Sequence, residues 1–236
     1  MMNLKISLPF RKCKKGHETD LIKSFINKID INLITQNNKY EFLVLNETCI
    51  SNHYPDLVLI LLDRSKLDYW NEKRLLLKKN DIKILHHLYL SNKKRSIGDL
   101  VFELGFNERD INKILRRLYN AEMIIEVGDC FLIKNIVRLF FISDIISIEA
   151  KIKNWKDAFR QAELNYLFSS ESYVLFPEKI LNDKVISHNT SLKQVGIIGS
   201  NNYKNYIVKK SQKNKIPASY YSWVLNEEIG GAIFNA

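Results

Sequence analysis

Two acids and a lysine interrupt stretches of this chain that are otherwise apolar. Residues 145–152 read IISIEAKI. Side chains alternate faces along a strand, so Ile146, Ile148, Ala150 and Ile152 share an apolar face while Glu149 and Lys151 share the other. A carboxylate and an ammonium in a core-like strand lose hydration, a loss offset only if they pair or serve a polar site. An ion pair on an edge strand is the structural alternative. Asp56, directly after Pro55, likewise opens the apolar run LVLILL at 57–62. If the two strands are neighbours, both carboxylates can enter one pocket. Converging acids raise each other's pKa unless a cation lies between them, and Mg2+ prefers oxygen ligands while keeping several waters. A lysine beside such a pair can orient or help deprotonate a water that attacks a phosphodiester, while the cation stabilises charge on the phosphate. Asp63 and Asp144 are rival carboxylates, set by strand parity on the faces opposite Asp56 and Glu149.

These residues need elements to hold them. The spacing of Ile22, Phe25, Ile26 and Ile29 predicts a helix over 17–29. Residues 40–50 read as a strand, and 54–62 as a second one, apolar on both faces like a central, doubly covered strand. The charged stretch 64–79 reads as a connecting helix. After it and a compact segment comes a strand over 137–152, then a helix over 154–170 with Trp155, Ala158, Phe159, Ala162 and Tyr166 on one stripe. A short strand at 173–176 closes at Pro177. A helix over 178–194 and strands at 195–198 and 206–208, separated by the turn GSNN, follow. The tail beyond 216 is ambiguous. With 64–136 set aside, the order is helix, strand, strand, strand, helix, strand, an α/β fold with helices on a mixed sheet.

Pro55-Asp56 followed by Glu149-Ala150-Lys151 resembles the PD…(D/E)XK signature of the restriction-endonuclease-like nucleases, and the element order resembles that family's αβββαβ core. The resemblance spans residues 15–62 and 140–200. It implies that Asp56, Glu149 and the Ala150 carbonyl bind a metal ion, Mg2+ or Mn2+, and that Lys151 assists the attacking water. It also implies an added glutamate from the first helix, which Glu18 fits, and a glutamine on the helix after the second motif, which Gln161 fits, with Tyr166 as its companion. The departure from the family is the long stretch between Asp56 and Glu149, where a short turn is usual.

That stretch carries its own signals. Asn80 and Asp81 can cap a helix through Ile82, Leu85, Leu88 and Tyr89. Ser96 begins a shorter helix stopped by Gly105. Asn107 caps a third, with Ile111, Ile114, Leu115 and Leu118 at helical spacing. MIIEV-GD-CFLIK then reads as a hairpin around Gly128-Asp129. The set resembles a winged helix-turn-helix inserted at a loop tip. In DNA-binding members the third helix enters the major groove, and here it would present Arg109, Lys113, Arg116, Arg117 and Asn120 to phosphates and base edges. The alternative is a solvated face used for protein contacts, since Glu108, Asp110 and Asp129 dilute the charge. His86 and His87 lack a ligand pattern and read as packing or surface residues. The expected division is a nuclease-like core in two parts, 1–63 and 137–236, around an inserted module at 64–136.

Bulk composition agrees with a folded chain that meets a polyanion. The 236 residues are 46% hydrophobic and 26% charged, with 8 Gly and 4 Pro, so long flexible linkers are not expected. A net charge of +10 favours nucleic acid through counterion release. Cys13, Cys49 and Cys130 form no metal-ligand or disulfide pattern, and no signal peptide or membrane span is evident. A cytoplasmic, soluble protein is expected. The function implied is Mg2+-dependent hydrolysis of DNA phosphodiesters in a defence, restriction or mobile-element setting, with a second copy or partner proteins of such a system as further partners. The competing expectation is a non-catalytic DNA-binding regulator or scaffold with a degenerate core.

Overall fold

The computed structural model describes residues 8–11, 16–29, 41–50, 53–190 and 193–235. The chain divides into two compact units, one built from Leu8–Leu62 and Ile142–Ala218, the other from Asp63–Phe141 and the residues from Ser219 on. The fold is mixed α/β.

The first unit is a six-stranded mixed sheet. Strand β1 (Glu41–Asn46) pairs antiparallel with β2 (Leu57–Leu62), and β2 pairs antiparallel with β6 (Ile142–Ala150). Strand β6 runs parallel to β7 (Glu171–Pro177), and β7 runs parallel to β8 (Val195–Ser200). The last strand, β9 (Asn205–Lys209), is antiparallel to β8. Every residue of β2 is buried, as expected of a strand flanked and covered on both sides. Helix α1 (His17–Asn27) packs Phe25, Leu21 and Ile22 against the face made by Leu57, Leu59, Leu61, Ile146, Ile148 and Ala150. Helix α6 (Trp155–Tyr166) sets Ala158, Phe159 and Ala162 on the opposite face, against Val174, Phe176, Val195 and Ile197. Small residues on this side let helix and sheet approach closely. Ser147 bonds Ser172 at 2.9 Å, whose hydroxyl donates to the Ala162 carbonyl at 2.7 Å. Helix α7 (Asp183–Thr190) completes this unit's helices among the described residues.

In the second unit, two 3-10 turns (Arg64–Tyr69 and Glu72–Leu76) lead to helix α2 (Lys79–Ser91). There follow strand β3 (Arg95–Ser96), helices α3 (Ile97–Leu104) and α4 (Glu108–Asn120), and the hairpin β4 (Ile124–Val127) and β5 (Cys130–Ile133). The three strands form a sheet in the order β3-β5-β4. Gly128 takes the left-handed conformation, φ 64°, that a tight hairpin needs. Short helix α5 (Ile136–Leu139) and the long helix α8 (Tyr220–Phe234) complete it. The Asp63 N–H donates to the Phe141 carbonyl at 3.0 Å. The segment between β2 and β6 therefore begins and ends at one point, which lets two strands far apart in sequence pair as neighbours.

Four expectations differ. Residues 64–79 are two 3-10 turns rather than a connecting helix, because Asp63 and Asn71 each cap a short turn by accepting the N–H two residues on. The strand expected from 137 begins at Ile142, since Asn135 accepts the Val137 N–H at 3.0 Å and starts a helical turn instead. Helix α2 starts at Lys79, with Asp81 accepting the Lys78 N–H at 2.8 Å, rather than being capped from Asn80. The ambiguous tail is helix α8, which belongs to the second unit. There Asn226 accepts the Phe141 N–H at 3.0 Å and Glu227 pairs with buried Arg74.

Among the described residues, no helix is long and apolar enough to cross a membrane. Cys49 and Cys130 are free thiols, and Cys13 lies outside the described residues.

Candidate functional site

The β2/β6 register decides whether the two acids meet. Leu57 lies opposite Ile148, so one step further sets Asp56 opposite Glu149. Leu57 and Ile148 face α1, so by alternation Asp56 and Glu149 turn to the α6 side. Each is then fixed by one donor. The Ala150 N–H donates to Asp56 Oδ2 at 2.8 Å, and Asn165 Nδ2 on α6 donates to Glu149 Oε1 at 2.6 Å.

Glu149 is 4% exposed, and the two carboxyls interact directly. Burial first, and then the charge of Asp56, push the Glu149 pKa up to about 9, against the Asn165 amide and the Lys151 charge. Burial also raises Asp56, against the Ala150 N–H and Lys151. Two buried carboxyls that face each other favour the state in which one of them keeps its proton, because the second charge would meet both desolvation and repulsion.

Lys151 follows directly after β6, its N–H bonded to the Leu175 carbonyl at 3.2 Å. Its Nζ lies 3.4 Å from Glu18 Oε2 on α1. Burial lowers the ammonium's pKa, but the charges of Asp56, Glu18 and Glu149 outweigh it, and the group ends above the ordinary lysine value. Lys151 is therefore a cation at neutral pH, hemmed by three acids. Glu18 faces Lys151 as an ion-pair partner.

Gln161 does not reach Glu149; its amide donates to Asp157 Oδ2 at 3.2 Å. The residue that does is Asn165, one helical turn on and only 1% exposed. Sequence reading missed it, although a polar residue on the Ala158/Ala162 stripe was a usable signal. Tyr166 contributes its carbonyl, which accepts from Asn214 at 3.4 Å, and burial raises its phenol pKa. Two further residues were missed. Glu47, at the end of β1 in a left-handed backbone conformation, φ 49°, donates its N–H to the Asp56 carbonyl at 3.3 Å, and its charge adds to the rise at Asp56. Arg11 donates to Glu47 through Nη2 at 2.7 Å. The rival acids are occupied elsewhere: Asp63 accepts from Ser65, and Asp144 pairs with Lys213 at 2.8 Å.

In the second unit, Arg109, Lys113, Arg116 and Asn120 are exposed on α4. Arg117 departs from that set. Its guanidinium forks onto both oxygens of Asp81, at 2.8 and 2.6 Å, and Asp81 is wholly buried. The Asp81 pairing raises the Arg117 pKa, and the side chain ties α4 to α2 instead of facing outward. His87 bonds Glu103 at 2.5 Å.

Among the described residues, no three His, Cys, Asp or Glu side chains gather as a metal site. The Asp56/Glu149 pair is a smaller donor set, two hard carboxylate oxygens beside a strand end. That suits Mg2+ or Mn2+, which can be held by one or two carboxylates with water completing the shell. The structure engages Ala150 through its N–H, to Asp56.

Compared with known proteins, the chain matches no family model, no curated sequence and no solved structure.

Proposed function

We propose that the chain is a Mg2+- or Mn2+-dependent nuclease of PD-(D/E)XK type that hydrolyses DNA phosphodiesters, with a winged-helix module that positions the DNA. The observation that carries this reading is the meeting of Asp56, Glu149 and Lys151 across two strands whose intervening chain returns to its starting point. The meander of β1, β2 and β6, followed by α6 and a parallel β7, also supports it through the αβββαβ order.

Asp56 and Glu149 would hold the divalent cation, which supplies charge neutralisation at the phosphate and a more acidic bound water. Asn165 orients Glu149. Lys151 donates to and positions the water that attacks phosphorus, with Glu18 fixing the ammonium. In the module, Arg109, Lys113 and Arg116 form a basic stripe on α4 suited to phosphates, while Arg117 serves the module's own packing.

Purified protein incubated with supercoiled plasmid and Mg2+ or Mn2+ should nick or linearise it. Lys151→Ala should lower the rate about 100-fold or more, and EDTA should abolish it. Binding without cutting under any of these metals would make the chain a DNA-binding regulator instead. Cleavage of RNA but not DNA would change the substrate class.

A further inference from the structure

A phosphodiester approaching Asp56 and Glu149 also meets the acids Glu47 and Glu18. Among the described residues, Lys151 and Arg11 are cations that neighbour this group. Lys151 is 17% exposed and held by Glu18. Arg11 is 53% exposed and reaches the site through Glu47, whose N–H donates to the Asp56 carbonyl.

The setting of Arg11 is specific. Its segment is pinned along the strand end by two backbone hydrogen bonds, Cys49 N–H to the Pro9 carbonyl at 2.7 Å and Arg11 N–H to the Glu47 carbonyl at 3.0 Å, which together pair Phe10 with Thr48 in an antiparallel bridge. The guanidinium lies 4.3 Å over the Tyr54 ring, two residues before Asp56, and donates to the Tyr54 carbonyl at 3.3 Å. Nε and Nη2 both donate to the same Glu47 oxygen, at 3.1 and 2.7 Å. This is not the two-oxygen fork that gives arginine–carboxylate pairs their strength, and about half of the Arg11 side chain stays exposed. Stacking fixes the plane of the group, so little rotamer freedom remains to be lost when an anion binds.

We propose that Arg11 is a phosphate-binding residue flanking the Asp56/Glu149 pair, which takes a backbone phosphate of the nucleic acid in competition with Glu47. This rests on the nucleic-acid reading above but not on cleavage. Glu47 acts as a stand-in anion that keeps the guanidinium aligned until phosphate displaces it.

Two substitutions that break the same ion pair should then act in opposite directions. Full-length protein carrying Arg109→Ala, Lys113→Ala and Arg116→Ala, which silences the α4 stripe, is titrated with a fluorescent DNA duplex in EDTA over a range of salt concentrations. Adding Arg11→Ala should weaken binding about tenfold and lower the salt slope by about one, the value for one phosphate contact. Adding Glu47→Gln should instead strengthen binding severalfold. Arg11→Lys, which keeps the charge but loses stack and fork, should fall between. Thermal melts show whether each variant is folded.

The proposal is overturned if Arg11→Ala and Glu47→Gln change affinity in the same direction or not at all, or if the background protein binds no DNA. Binding that follows the expected order without any cleavage in Mg2+ leaves the phosphate subsite standing and removes the nuclease. Cleavage with no response to Arg11→Ala does the reverse.

Discussion

Glu149 should make the metal-free protein lose stability as pH rises. Its pKa is moved from 4.5 in an ordinary chain to about 9 in the fold. Between those values the folded state retains a proton that the unfolded chain releases, so unfolding becomes easier with each pH unit. The contribution is complete below the unfolded value and is gone once pH has risen through the folded one. The slope for one such proton is on the order of 1 kcal/mol per pH unit, so this group removes roughly 2–3 kcal/mol between about pH 6 and pH 8. Glu149→Gln carries no such proton and keeps the Asn165 contact in similar shape. Urea unfolding of both proteins in EDTA, followed by circular dichroism, isolates the difference, provided the m-value is unchanged. The wild type should fall toward and then below the variant as pH climbs. Parallel curves, or a wild type that gains stability relative to Glu149→Gln over that range, would show that Glu149 is ionised in the fold and that the two acids do not confront each other.

Further outcomes follow from individual contacts. Arg117→Ala strands the buried Asp81 carboxylate and should cost about 3 kcal/mol in chemical denaturation. Lys113→Ala, on the exposed stripe, should change stability by less than about 0.5 kcal/mol while weakening DNA binding. Equal stability losses in the two would remove the distinction between packing and contact residues. Asn165→Ala leaves Glu149 without its amide donor and should weaken Mn2+ binding by about 10–100-fold in calorimetry; unchanged affinity would refute the positioning role. Gly230→Ala places a methyl group into the Trp70 indole, and a loss of about 1–3 kcal/mol is expected from overpacking, read as a lower midpoint in thermal unfolding.

The parts legible in the sequence were those governed by local periodicity. The run LVLILL marks a doubly covered strand by itself, and alternation alone put Glu149 on the face away from Ile146, Ile148 and Ala150. The hairpin was equally plain, because Gly128-Asp129 satisfies a turn that few residue pairs allow. What escaped depends on partners distant in the chain. The Gly230-Gly231 pair argues against a helix locally, yet α8 forms because Trp223, Leu225 and Ile229 bury and Trp70 occupies the space Gly230 leaves open. Arg117 looks like one more surface cation until α2 brings Asp81 beneath it. Gln161 and Asn165 sit one turn apart on one helix, and only the rotation of α6 against β6 decides which reaches Glu149. Arg11 and Glu47 carried no local signal, since their pairing is set by how the segment at Pro9 lies along the end of β1.

Manganese binding counted by electron paramagnetic resonance tests most directly whether Asp56 and Glu149 form one cation site. Wild-type protein at neutral pH should bind a single Mn2+ per chain, displaced by excess Mg2+, and both Asp56→Asn and Glu149→Gln should abolish that site while remaining folded. Mn2+ bound equally by all three proteins, or by none of them, would contradict a divalent-cation site formed by this pair.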